Sequence, residues 1–407
     1  MTDDLGLFEE RPSRERPRRP TAASAAARRA KQLRKKRRNR LAVFGIVVAL
    51  LIGGGVWFGF RQLSGLGGYD DFSGAGERDV IFEVKGGDST GAIAGRLAED
   101  GIVASGKAFL AAAQKETKVR SIQPGYYVMR TKISGEAAVQ KIVTPTSKVG
   151  HLQIRAGTQL DDLANGATVV PGIISQLSAA SCATLDGKKT CVPVEELLKV
   201  AETGDLKALG VPEWAIPDAS RAPEPKRRLE GLIAPDVYDV KPGSTAEELW
   251  TKLVTESSAR LQSYGMPKLA ESTGFTPYQV LVIASLIERE AIEADFKKVS
   301  RVTYNRLVKA MELKYDSTIN YVLTRPAITT RAEDRATPGP YNSYLNTGLT
   351  PTPIAAASKA ALAAAANPAE GTWLFFVKCQ KNGTSCFGDT YAQHEDNIKQ
   401  AKANGAY

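Results

Sequence analysis

Residues 41–60, LAVFGIVVALLIGGGVWFGF, are twenty residues without a charge. At about 1.5 Å of rise per residue, a helix of this length spans the roughly 30 Å hydrocarbon core of a bilayer. The basic run KKRRNR, residues 35–40, abuts it. Basic residues beside an apolar span mark its cytoplasmic flank, so the N-terminus is expected inside and residues 61–407 outside. A cleaved signal peptide is the competing reading. Its charged region would have to cover residues 1–40, its apolar run is too long, and no A-x-A site follows. The span therefore reads as an uncleaved, single-pass anchor.

The tail ahead of the span also explains the charge. The chain carries 54 Lys and Arg against 44 Asp and Glu, a formal +10. Residues 1–40 hold 14 of those basic residues and 5 of the acidic ones, which leaves 40 against 39 for the rest. A nearly neutral outer part excludes a nucleic-acid-binding surface as its main business. The tail is rich in Pro, Arg, Ala and Ser with no apolar periodicity, the signature of disorder. Attraction to anionic headgroups is the plain use of basic residues at a membrane.

Four cysteines fall into two close pairs, Cys182 with Cys191 and Cys379 with Cys386. Each pair closes a short polar loop, SCATLDGKKTC or CQKNGTSC. In an oxidising compartment these read as two local disulfides. The spacings do not match zinc-ligand patterns, and the chain has 2 histidines, so no metal is expected. No cofactor motif appears either.

Outside the membrane, residues 61–77 read as a Gly/Ser/Asp linker. Residues 78–146 then alternate strand (VIFEV), helix capped by Ser89 or Thr90, helix (SGKAFLAAAQK), strand (QPGYYVM) and helix (SGEAAVQKIV). That is a small α+β module. HLQIRAGTQLDDLA, 151–164, restarts a strand-then-helix theme and hints at a partial repeat. Residues 147–228 are less regular and read as a connecting or inserted region, ahead of a domain over 229–407. In that domain STAEELW reads as a capping box with Ser244 as cap and Glu247 returning the bond. TPYQ is a second box, with Thr276 as cap, Pro277 at the first helical position and Gln279 returning the bond.

The second box starts a helix that runs through VLVIASLIEREA and carries Glu288 in its fourth turn. A carboxylate at the end of an apolar run either reaches solvent or works. Helical spacing puts Ala284, Ser285, Ala291 and Ile292 beside Glu288, which leaves room for a ligand above small neighbours. Glu290 is rotated by about 200° and reads as solvent-facing or salt-bridged. Carboxyl groups against apolar walls hold a proton more readily, which suits protonation of a glycosidic leaving oxygen. Downstream, VTYNRL offers Asn305, LKYDSTINY offers Asp316, and GPYNSY offers Tyr341, Asn342 and Tyr344. Each alone has a bland reading: turns need Asn and Pro, and Asp-Ser-Thr caps helices. Together, with no Ser-His-Asp order and no phosphate loop, they favour a carbohydrate site.

LEGLIAPDVY (229–238), VIASLIEREA (282–291), VTYNRL, YDSTINY, YNSY…GLTPTPI (341–354) and AAANP (364–368) stand in an order that resembles the YceG-like family. The resemblance covers about residues 78–400. It implies a mixed α+β catalytic domain behind a single N-terminal transmembrane helix and a small LysM-like module, in a bacterial cell membrane. It also implies an endolytic murein transglycosylase, which cuts peptidoglycan glycan strands between N-acetylmuramic acid and N-acetylglucosamine and leaves 1,6-anhydromuramic ends. Glu288 stands where the family's catalytic Glu stands. By motif position Asn305, Asp316, Tyr341, Asn342 and Tyr344 would line the cleft. Glu230 and Asp236 are either structural or part of the site, and so is His394, which sits where the family often has His. The sequence departs from the family at Thr350 and Thr352, where Pro and Gly are common. The implied partners are the glycan strands and membrane-bound peptidoglycan synthases. The competing class is a non-catalytic, membrane-anchored, peptidoglycan-binding scaffold for those synthases.

Overall fold

The computed structural model describes residues 69–165, 168–323 and 330–406. The expected tail, the expected anchor and the first half of the expected linker lie outside those residues. No helix among the described residues is long and apolar enough to cross a membrane.

Residues 70–77 are tied down rather than loose. The Asp70 carbonyl accepts the Ser105 hydroxyl at 2.8 Å, and the Asp71 carboxylate accepts the Gly135 N–H at 2.9 Å. Ala75 bridges to Ile133. Asp71 therefore serves a helix start, where a free N–H awaits an acceptor, and the Asp70 carbonyl holds the capping serine of another helix.

Strands Asp79–Val84, Gly125–Arg130 and Lys148–Val149 form one antiparallel sheet, with Phe82 opposite Tyr127. Helices Thr90–Glu99, Gly106–Ala113 and Gly135–Ile142 pack with it, each capped by a serine: Ser89, Ser105 and Ser134. Phe82, Leu97, Phe109, Met129 and Ile142 form a core of their own here. Gly135 permits the closest helix contact, since a Cβ there would meet the Ala108 carbonyl oxygen at 2.3 Å.

A second, larger core runs without a break from Leu152 to Ala365. Strand His151–Ile154 enters it by pairing antiparallel with Asp236–Asp239, Leu152 opposite Tyr238. Residues 155–164 form no helix. The backbone of 156–158 is committed elsewhere: Gly157 N–H donates to the Ala356 carbonyl and Ala356 N–H returns to Thr158, both at 2.8 Å. That long-range pairing replaces the expected repeat. The region 147–228 is likewise part of the body. Ile173, Leu177, Leu197 and Leu209 share the core with Trp250, whose indole donates to the Leu197 carbonyl at 2.9 Å. The boundary expected near Leu229 does not separate two cores.

Helix Ala246–Ser263 starts one residue later than expected, with Thr245 as cap and Glu248 returning the bond. The run S-T-A-E-E satisfies the box in two frames, and the structure takes the second. Helix Pro277–Glu290 begins as expected, with Thr276 and Gln279 bonded reciprocally. Tyr278 and every residue from Val280 to Ile287 are buried, so this helix is apolar all round and lies inside the body. Each of its large aliphatic side chains contributes about 1.5–3 kcal/mol by leaving water. The Ala-rich helix Lys359–Ala366 and helix Phe296–Val308 pack against it. Hairpin Phe375–Lys378/Ser385–Gly388 and helix Tyr391–Ala403 complete the chain. Disulfides join Cys182 to Cys191 and Cys379 to Cys386.

Candidate active site

Helix Pro277–Glu290 stops because Ala291 is extended, with φ −139° and ψ 170°. Ala291 and Ile292 therefore leave the helix, and Glu288 keeps only Ala284 and Ser285 as helical neighbours on its face. The last turn presents Glu288, Arg289 and Glu290 in steps of about 100°. Each binds a different segment. Glu288 Oε2 accepts the Ser358 N–H at 3.0 Å. Arg289 Nη1 donates to the Gly157 carbonyl at 3.2 Å. Glu290 Oε1 accepts the Ser317 N–H at 3.2 Å.

Ser358 caps helix Lys359–Ala366, its hydroxyl accepting the Ala361 N–H at 3.1 Å. Ser285, one turn before Glu288, accepts the Ile354 N–H at 3.0 Å. Segment 354–358 is thus stitched along the helix and fixes one carboxylate oxygen of Glu288. The other oxygen has no partner among the described residues and is not buried away. A carboxyl with one oxygen held and one open is placed to exchange a proton with a ligand.

Glu290 is not left to solvent. Its carboxylate sits at the start of helix Asp316–Val322 and is partly buried. Burial pushes this carboxyl up, the Ser317 hydrogen bonds oppose that, and the nearby Asp316 charge adds to it.

Asp316 gathers a polar network beside Glu290. It accepts the Thr330 and Tyr344 hydroxyls, both at 2.6 Å, and lies 3.4 Å from Arg335 Nε. The Arg335 guanidinium also covers the Tyr344 ring at 5.3 Å. Burial, then the Asp316 carboxylate, drives the Tyr344 phenol well up, so it stays a donor.

The remaining expected residues bond to other segments, and none of these described residues contacts Glu288. Asn342 is 3% exposed. Its amide donates to the Arg335 and Thr337 carbonyls at 2.8 and 2.7 Å and its Oδ1 accepts the Tyr344 N–H, so it shapes the turn that aims Tyr344. Tyr341 is 1% exposed, meets the Thr352 hydroxyl at 2.9 Å and packs edge-on to Tyr321. Neither is open to a substrate in this conformation. Thr350 and Thr352, the departures from the family pattern, are buried and bond within their own loop. Asn305 ties helix Phe296–Val308 to the Gly371 and Trp373 carbonyls.

Glu230 is fully buried and holds the Leu160 N–H and the Tyr321 hydroxyl at 3.1 and 3.0 Å. Burial pushes it up to about 7, against the pull of those bonds and of Arg227. Asp236 forms an ion pair with Arg260 on the Ala246–Ser263 helix. His394 lies flat on Phe375, ring centroids 5.3 Å apart, and is held below the usual imidazole value by burial and by Arg306. Sequence reasoning missed Ser358, Ser317 and Arg289 as partners of this site. The cap pattern of Ser358 before KAAL was the one readable signal among them.

The YceG-like family model matches residues 82–400. The chain is 27% identical over 318 residues to an endolytic murein transglycosylase of Bacillus subtilis (strain 168), covering 77% of this chain and 82% of that protein. It is 24% identical over 369 residues to an endolytic murein transglycosylase of Streptococcus pneumoniae serotype 2 (strain D39), covering 88% of this chain and 64% of that protein's own length. A crystal structure of a yceG-like protein from Listeria monocytogenes superposes with a TM-score of 0.50, at 24% identity, over 79% of this chain and 99% of that one. That likeness is one of fold.

Proposed function

The chain belongs to the YceG-like family, and from that premise we propose that it is an endolytic murein transglycosylase with Glu288 as its acid and base. Glu288 protonates the oxygen that links muramic C1 to the next sugar, and that C1–O bond breaks. The resulting carboxylate then takes the proton of the same muramic residue's C6 hydroxyl while O6 attacks C1. One C–O bond is lost and one gained, the proton returns to Glu288, and no water is consumed. The product is a 1,6-anhydromuramic end.

The observation that carries this reading is the half-held Glu288 carboxyl at the end of a buried helix. Hydrolysing glycosidases place two carboxyls across one bond. Here the second carboxylate of the turn, Glu290, points about 200° away around the helix and serves another segment. A single carboxylate fits an internal nucleophile, whose attack has a large entropic advantage. Asp316 and Tyr344 lie on the Glu290 side of the turn, and their role as sugar contacts is part of the proposal carried by motif position.

The finer layout belongs to the same proposal. Residues 41–60 anchor the chain in the bacterial cell membrane, and residues 78–146 act as a LysM-like glycan-binding module. Membrane-bound synthases are the partners, and cleavage of new strands sets their length. Digestion of peptidoglycan by the detergent-solubilised chain, followed by mass analysis, tests the chemistry. Anhydro ends are expected from wild type and none from Glu288→Gln; reducing ends would make it a hydrolase.

A further inference from the structure

A groove of about 740 Å³ opens beside Arg289, and the proposed bond cleavage does not use it. Its size falls within the roughly 300–1,000 Å³ of small-ligand sites. Arg155, Gly157, Thr158, Asp161, Gln176 and Arg289 contribute to its lining.

Its charge is unbalanced. Asp161 is already paired with Lys226 at 2.9 Å. Arg155 is exposed, Arg289 is partly buried, and neither has a carboxylate at ion-pair distance among the described residues. Arg289 spends one nitrogen on the Gly157 carbonyl, while its Nε is buried without an acceptor. Buried donors are seldom left so.

Its position is equally specific. Arg289 follows Glu288 on the last helical turn. The groove wall at 157–158 is bonded to Ala356, two residues before the Ser358 that holds Glu288. Glu288 itself does not line the groove, but the residue after it does, so the groove lies beside the turn that carries the carboxyl.

We propose that this groove takes the carboxylate-bearing peptide stem of the muramic residue being cut. The inference rests on the transglycosylase reading. In murein the stem hangs from the lactyl ether on C3 of the sugar whose C1 bond breaks, so a stem site must lie about one ring from the acid. Planar guanidinium groups match carboxylates with two parallel hydrogen bonds. Arg155 supplies that grip at the open side, and Arg289 adds its positive charge deeper in.

The test compares the full-length wild type with Arg155→Glu, both in detergent, on two substrates. One is murein glycan with its stems intact, and the other is the same glycan after an amidase has removed them. Wild type is expected to favour stem-bearing strands about tenfold in kcat/KM, and Arg155→Glu to bring that ratio to about one or below. A fluorescent stem tetrapeptide with free carboxylates, titrated into both proteins, is expected to bind about tenfold more weakly to the variant and to lose affinity with salt. Arg155 is exposed, so an unchanged unfolding midpoint serves as the folding control. Cleavage of both substrates with equal preference in the two proteins overturns the stem groove and leaves the transglycosylase standing. Cleavage of neither by wild type removes the catalytic reading. The peptide titration then decides the groove alone: binding lost in Arg155→Glu keeps it, and no binding rejects it.

Discussion

Glu288 and Glu290 lie two residues apart on one helical turn, yet each carboxylate is held at the start of a different helix, Glu288 by the Ser358 N–H and Glu290 by the Ser317 N–H. The division separates their roles. Glu288→Gln keeps the Ser358 bond but cannot exchange a proton, so cleavage is expected to fall by at least about 10²-fold with the unfolding midpoint unchanged. Glu290→Gln is expected to retain most cleavage. It should also be more stable than wild type at pH 8, because burial disfavours the charged Glu290 that the amide replaces. Loss of activity in Glu290→Gln, with Glu288→Gln still active, would transfer the acid role to Glu290.

Glu230 gives the body a pH dependence of opposite sign to the usual carboxylate. Its folded value is raised from an ordinary 4.5 to about 7. Below about pH 4.5 both folded and unfolded chains carry the proton, and stability is unaffected. Between about 4.5 and 7 the unfolded chain ionises first, so stability falls as pH rises, by about 3 kcal/mol at most, and stays down above 7. Glu230→Gln preserves an acceptor for Leu160 and Tyr321. It is expected to flatten the difference between denaturant unfolding at pH 5 and at pH 8; an unchanged difference would place the titration elsewhere.

Asn342 is expected to act on stability rather than on sugar contact. Asn342→Ala frees the Arg335 and Thr337 carbonyls and the Tyr344 N–H in a buried turn. The expected cost is about 1–3 kcal/mol in urea unfolding. At temperatures where the variant is folded, the loss of activity should follow the displacement of Tyr344, so Tyr344→Phe should show a comparable change in kcat. A large rise in KM without loss of stability would restore Asn342 as a substrate ligand.

The turn at Asn342 also shows where the sequence was legible. Several signals confined to a few residues matched, namely the Thr276 box, the helices of residues 90–142 and the strands at Asp79 and Gly125, while the Ser244 box was read one residue early. Signals that depend on partners far along the chain were not. The backbone after Ile154 looked free to form a helix because nothing local reveals its pairing with Ala356, about 200 residues away. Tyr341 and Asn342 have the composition of a sugar cleft, but composition does not say which side of a turn faces the core. Glu290 looked solvent-facing or salt-bridged for the same reason: helix Asp316–Val322, whose start it meets, comes later in the chain.

Ser358 offers a way to separate capping from positioning at Glu288. Its hydroxyl caps helix Lys359–Ala366, while its N–H holds the carboxylate. Ser358→Ala removes only the cap and is expected to cost about 1 kcal/mol of stability with little change in turnover. Ser358→Pro removes the N–H as well. The native φ of −70° suits a proline ring, whose Cδ takes the place of the hydrogen and displaces the Glu288 oxygen. Turnover by Ser358→Pro is therefore expected to fall about tenfold or more below that of Ser358→Ala at similar stability, since a displaced catalytic group forfeits its alignment with the reacting atoms. Equal turnover in the two variants would mean that the Ser358 N–H is dispensable and that the Glu288 carboxyl is oriented by substrate instead.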